Sequence, residues 1–259
     1  MLEMEKFNMD FKNVWITGDL HGDYLPIRNF YVNNKDKISN ISADNLLILL
    51  GDVGANYFLN KRDDYFKEKI SRLPFTLFCI RGNHEERPTN LAKKYPTDWH
   101  QEVFCENLVW IENKYPKILY ALDEGGEYNI NGKSTLVIPG AYSIDKDYRI
   151  ANQWSWFPDE QLSVKEQNDI LNNLKQKYDY ILSHTCPYNW EYYINDLFLS
   201  VVDQSTVDKT MEEFLDRVAA NTKWKHWYWG HFHDDRDIKE INGTMLFHKV
   251  IPFGEYLTV

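Results

Sequence analysis

Apolar and polar positions along the chain fall into short runs, and the way each run ends is as regular as its length. Residues 14–17 form a β-prone run that stops at Gly18-Asp19, and residues 24–32 follow with helical apolar spacing. Residues 46–50 are continuously apolar and stop at Gly51-Asp52. Runs of this kind, bounded by turn residues, suit strands buried on both faces. Residues 66–73 predict a helix, and residues 75–80 predict a strand that stops at Arg81-Gly82-Asn83-His84. The order strand, helix, strand, helix, strand predicts an α/β layered fold.

The middle of the chain reads differently. Residues 108–111, 117–121, 127–130 and 135–138 predict short strands, with Asn131-Gly132 as a tight turn between the last two. This predicts an antiparallel part or a second sheet. Residues 158–178 predict a helix: Pro158 suits its start, Asp159 and Glu160 its first turn, and Leu162, Ile170, Leu171 and Leu174 give an apolar stripe. Residues 180–182 predict a strand ending at Ser183-His184, residues 207–219 a helix, and residues 227–229 a strand ending at Gly230-His231-Phe232-His233. Final strands near Ile238 and Leu246 close the sheet. No repeat or low-complexity linker interrupts the chain, so one domain over residues 1–259 is expected.

The candidate chemistry sits where the strands stop. Five apolar runs each end in Gly or Ser followed by a hard or borderline metal ligand: Asp19-Leu20-His21, Asp52, Asn83-His84, His184 and His231-Phe232-His233. In open α/β sheets, ligands bind outside the carboxyl ends of the strands. Residues two apart in extended backbone face the same side, so Asp19 and His21 can grip a single ion. His231 and His233 can face one site and each reach a different ion. A carboxylate has two oxygens, so Asp52 can bridge a pair of cations about 3.5–4 Å apart. Glycine beside a ligand lets the backbone turn sharply and approach an ion. Imidazole, carboxylate and amide oxygen together suit two divalent ions, manganese first, with iron, zinc or cobalt as alternatives.

Composition narrows the field. The chain has 259 residues, 43% of them hydrophobic, which is enough for a sizeable core. Its net charge of -10 leaves no electrostatic footprint for nucleic acid, but bound cations can reverse the local sign for a small phosphate. The cysteines, Cys79, Cys105 and Cys186, are odd in number and contain no CxxC pair, which excludes a disulfide framework and a thiolate zinc site. Residues 1–11 lack the continuous apolar core of a signal peptide, and no apolar run is long enough to cross a bilayer. A cytoplasmic protein with no membrane partner is expected. Trp224, Trp227, Tyr228 and Trp229 alternate as a strand does and predict sheet packing rather than a base-stacking platform. His100, His226 and His248 fall outside the motifs and are expected to be structural or surface residues.

Asp19-Leu20-His21-Gly22, Gly51-Asp52, Gly82-Asn83-His84-Glu85, His184 and Gly230-His231-Phe232-His233 resemble the five signature motifs of the calcineurin-like metallophosphoesterase superfamily. The resemblance implies an α/β (α+β) four-layer α/β/β/α sandwich with mixed sheets. It implies a first metal held by Asp19, His21, Asp52 and His233, and a second held by Asp52, Asn83, His184 and His231. Arg81 resembles the phosphate-gripping arginine of the serine/threonine protein phosphatase branch. The sequence departs from that branch after the bridging carboxylate, where Val53-Gly54-Ala55-Asn56 replaces Asp-Arg-Gly. The Asp that would orient the catalytic His becomes Ala55, and a second arginine becomes Asn56.

The implied chemistry is in-line attack on phosphorus by a metal-bridging hydroxide, with His84 as general acid to the leaving alkoxide. Arg81 and Asn83 would contact the phosphoryl group, and Glu85 or Asp23 would orient His84. Residues 139–149 follow a strand and mix aromatics with charges; Tyr142 and Arg149 there are candidate substrate contacts. Trp154 and Trp156, just beyond, are expected to pack on the sandwich. The expected substrate is a phosphomonoester, on a small molecule or a phosphoprotein. A phosphodiesterase acting on a cyclic nucleotide or nucleic acid is the alternative. A catalytically silent scaffold should have lost ligands or His84, and none is lost.

Overall fold

The computed structural model describes residues 10–197 and 203–257. Most of the N-terminal stretch discussed above therefore lies outside the described residues. In chain order come β1 (Asn13–Thr17), α1 (Leu25–Asn33), β2 (Asn45–Leu49), α2 (Lys61–Ser71), β3 (Thr76–Cys79), α3 (Pro88–Lys94), β4 (Trp99–Phe104), β5 (Asn107–Glu112) and β6 (Ile118–Ala121). Then follow β7 (Gly126–Ile130), β8 (Lys133–Ile138), α4 (Lys146–Ala151), α5 (Val164–Asn173), β9 (Lys177–Ser183), α6 (Thr210–Asn221), β10 (Lys223–Trp229), β11 (Arg236–Ile238), β12 (Gly243–Met245) and β13 (Ile251–Pro252).

The strands make two mixed sheets, ordered β13-β1-β2-β3-β6-β5-β4 and β11-β12-β10-β9-β8-β7. β1, β2, β3 and β6 run parallel, and so do β8, β9, β10 and β12. Their carboxyl ends therefore align within each sheet. Strict alternation along the strands builds three cores and hence four layers. Ile48 and Leu50 of the first sheet meet Leu182 and Tyr228 of the second between the sheets. Leu47, Leu49 and Leu77 face the other way, onto Ile27, Phe66 and Ile70 of the outer helices. Ile181, Trp227 and Trp229 face out onto Phe214 and Leu215. Both faces of the central strands are buried, which is why their sequences are continuously apolar.

The expected four-layer sandwich is what the chain builds, with some boundaries moved. The helix expected over residues 158–178 is only Val164–Asn173. Ser163 starts it with a reciprocal capping box to Glu166, and Leu174 is already extended, so Tyr178 belongs to β9. Residues 158–163 instead form a loop whose carbonyls and carboxylates hold Arg81, Arg87 and Ser143. Helix α2 begins before residue 66 because the Asn60 side chain caps Arg62 N. α3, α4, β4 and β13 were not expected; β13 is an edge strand, where Pro252 is tolerated. Trp227 and Trp229 are buried packing residues, as expected, and Trp190 packs edge-on against the first and tilted against the second. Trp154 departs from expectation, being 54% exposed. His226 is buried against Thr244, while His100 and His248 lie at the surface.

Phe78 is fully buried between the sheets, against Phe104 and Tyr128. Phe78→Ala should therefore lower unfolding stability by about 3–5 kcal/mol, read as a reduced denaturant midpoint at unchanged slope.

Candidate metal centre

Seven expected ligands converge at the ends of β1, β2 and β3 in one sheet and β9 and β10 in the other. Asp19, His21 and His233 form one group whose donor atoms lie within 4.8 Å of one another; Asp52, His184 and His231 form another. His21 Nε2 and His233 Nε2 are 2.9 Å apart, both aimed at one point. Asn83 Oδ1 joins the second group, 2.9 Å from His184 Nε2 and 3.1 Å from His231 Nδ1. Asp52 Oδ2 lies 3.8 Å from His21 Nε2 and 3.4 Å from His184 Nε2, so this carboxylate reaches both groups. The second group is the more deeply buried. Oxygen and imidazole donors turned on one another in this way fit a pair of divalent cations.

Neighbouring groups fix the ligands in place. His184 Nδ1 faces Leu50 O at 2.7 Å; donating there leaves Nε2 free to ligate. The backbone N–H of His231 donates to both Asp19 carboxylate oxygens at 2.9 Å, and that of His84 donates to Asp52 Oδ1 at 2.9 Å. Asn83 Nδ2 donates to Ser143 Oγ (2.9 Å), which donates to Glu160 Oε2 (2.5 Å). That chain turns the amide oxygen of Asn83 toward the site. Ser143 and Glu160 carry no motif signal, so sequence alone did not single them out.

The backbone is left-handed at Asp19 (φ 32°), His21 (47°), Asp52 (46°), His231 (71°) and His233 (54°). Non-glycine residues seldom adopt this conformation, and they do so mostly as Asn, Asp or His. Gly51 also turns this way (φ 101°), but Gly18, Gly82 and Gly230 do not. Their purpose is space rather than the expected turn. A Cβ on Gly82 would stand 2.1 Å from Asp52 Oδ1, and one on Gly230 2.5 Å from Asp19 Oδ2. A Cβ on Gly18 would meet Leu246 O at 2.2 Å, where the two sheets touch.

Charge at the site is unbalanced without cations. Burial pushes Asp19 well up. Burial acts likewise on Asp52, but His84, His184 and His21 overcome it and hold that carboxyl well down. Burial lowers His21 to about 4, so it is neutral and ready to ligate. Burial would lower His184 too, yet Asp52 and Asp19 raise it to about 9.

Residues 12–235 match the sequence profile described as calcineurin-like phosphoesterase. The chain belongs to that family. Membership carries metal-dependent hydrolysis of phosphoesters. Among solved structures, this phosphoesterase resembles the phosphopantetheinyl hydrolase from Mycobacterium tuberculosis at 13% identity over 91% of this chain and 89% of that one (TM-score 0.45). It also resembles a novel archaeal phosphodiesterase at 12% identity over 68% and 73% of the two chains (TM-score 0.31). No curated protein sequence matches it.

Beside the ligands lies a cleft of about 340 Å³ lined by Asp52, Asn83, His84 and Tyr142. His84 is held by residues that differ from those expected. Arg149 Nη2 stands 2.9 Å from His84 Nδ1 and 3.1 Å from Nε2. Arg149 is itself anchored by Asp145 (2.7 Å) and Tyr57 (2.6 Å), and the Tyr57 ring stacks on His84. Asp23 caps Leu25 N instead, and Glu85 accepts from the N–H groups of Gly54, Ala55 and Gly82. The structure does not bring Arg81 to the cleft. Its guanidinium lies buried, donating to Glu160 O at 2.7 Å and standing 3.7 Å from Asp123, because the loop before α5 closes over it.

Two outcomes follow from this geometry. Gly82→Ala should weaken Mn²⁺ binding by about 10- to 100-fold in calorimetry while the protein stays folded. Uptake of Mn²⁺ by metal-free protein at neutral pH should release a proton from His184, so affinity climbs as pH rises toward about 9. Calorimetry in buffers of different ionisation enthalpy reads that proton directly.

Proposed function

We propose that this phosphoesterase is a phosphomonoesterase with two divalent cations, manganese first. Asp19, His21, Asp52 and His233 would hold one; Asp52, Asn83, His184 and His231 would hold the other. Such cations supply a nucleophile from water near neutral pH and offset charge on the phosphoryl oxygens. The substrate is a phosphorylated small molecule or phosphoprotein.

The observation that carries the monoester reading is Arg149. A monoester brings more negative charge than a diester, and the Arg149 guanidinium sets a positive charge directly behind His84, which lines the cleft. Arg149 and Arg81 are both buried, but Arg149 lies against His84 whereas Arg81 is held by Glu160 O. His84 delivers a proton to the leaving alkoxide. Its backbone N–H to Asp52, the Tyr57 ring and Arg149 hold the imidazole for that transfer. Tyr142 lines the same cleft and bounds the substrate. Cys79, Cys105 and Cys186 are free and buried, which suits a cytoplasmic enzyme. No helix among the described residues is long and apolar enough to cross a membrane.

Metal-stripped protein refilled with Mn²⁺ should hydrolyse 4-nitrophenyl phosphate faster than bis(4-nitrophenyl) phosphate; the reverse order would make it a phosphodiesterase. His84→Ala should lower kcat by about 10²- to 10⁴-fold with Mn²⁺ binding retained. The loss should be larger for phenyl phosphate, whose leaving group needs the proton more. Arg149→Ala should cost more kcat/KM on the monoester than on the diester.

A further inference from the structure

The cleft extends past the metal ligands to the start of α6, where its lining includes Glu212. Glu212 is 3% exposed. Its Oε1 accepts a hydrogen bond from Thr185 Oγ1 at 3.1 Å, but among the described residues its Oε2 has no partner. Gln204, on the same cleft, has a buried Oε1 that likewise has no partner among the described residues. Two buried acceptors facing one cavity are costly unless a donor reaches them. Lys209 lines the cleft too, but its ammonium is paired with Glu191 at 2.6 Å. The rest of the lining includes the apolar side chains of Ile144, Leu197, Val207 and Phe232, together with Tyr142 and Asp145.

We propose that this end of the cleft is a leaving-group pocket in which Glu212 and Gln204 select a phosphomonoester whose alcohol carries a primary ammonium. The proposal rests on the phosphomonoesterase reading. An ammonium offers three N–H donors and a positive charge, so it satisfies both acceptors and balances the Glu212 carboxylate. The apolar walls take the methylenes that join it to the phosphate. Hydrolysis breaks the phosphorus–oxygen bond to that alcohol and forms one to the water oxygen; a proton passes to the alkoxide, so the products are the amino alcohol and inorganic phosphate. A neutral alkyl ester of equal length would leave both acceptors unmet, which is the arrangement that discriminates strongly between substrates.

The test compares ω-aminoalkyl phosphates of increasing chain length, each against the n-alkyl phosphate of the same length, with the Mn²⁺-loaded full chain. At the matching length the amino ester should be favoured by about 10- to 100-fold in kcat/KM. Glu212→Gln keeps the shape and removes the charge; it should shrink that ratio to within about threefold, and Gln204→Ala should reduce it in part. Thermal melting of each variant reports folding independently of turnover. Equal kcat/KM within every pair for the wild-type protein overturns the pocket while 4-nitrophenyl phosphate turnover keeps the phosphatase. A preference that survives in folded Glu212→Gln overturns the assignment to Glu212. No turnover of any monoester overturns both readings.

Discussion

Two sheets can share one set of ions only if their strand ends touch, and everything at this site depends on that contact. Gly18 meets Leu246 O there with no room for a side chain, and the His231 N–H crosses to the Asp19 carboxylate. His184 crosses in the same way to Leu50 O. The contact confines two buried carboxylates, Asp19 and Asp52, with His21, His184, His231 and His233 in one small volume. Desolvation makes such a set costly in any protonation state without a cation to share. Cations would offset by coordination what the fold spends in desolvation.

The inner core supports that contact from behind. Ile48 of β2 and Leu50 just after it alternate with Leu47 and Leu49, so the strand that leads to Asp52 is wedged between two cores. Side chains in such positions have few alternative rotamers, and dense packing transmits little slack to the strand end. The loop before α5 adds a second brace. Glu160 fixes Ser143 and, through it, the amide of Asn83, while its carbonyl occupies Arg81. One loop thus both orients a ligand and removes an arginine from the cleft.

The layers, and the meeting of the candidate ligands at the strand ends, were legible in the sequence because both follow short-range rules. Short apolar runs, each closed by a turn residue, placed the strands and the residues at their ends. What was not legible depends on distant partners. Whether an arginine faces a phosphate or a carbonyl is decided by the loop that packs on it, so Arg81 and Arg149 looked alike in kind. Ser143, Glu160 and Tyr57 matter through residues far along the chain, and no local pattern marks them. Glycines beside ligands were rightly noticed, yet for the wrong reason at Gly18, Gly82 and Gly230. The missing Cβ serves a carboxylate or carbonyl from another strand. The start of α5 was missed because Asp159 and Glu160 resemble a first helical turn, while the real cap is Ser163.

The left-handed backbone at Asp19, His21, Asp52, His231 and His233 has an evolutionary side. Valine, isoleucine and threonine are disfavoured at these positions by conformation before chemistry is considered. A descendant that abandoned metal binding would therefore drift first through asparagine, aspartate, histidine and glycine. Its strand ends would still spell the ancestry of the site long after the reaction had gone.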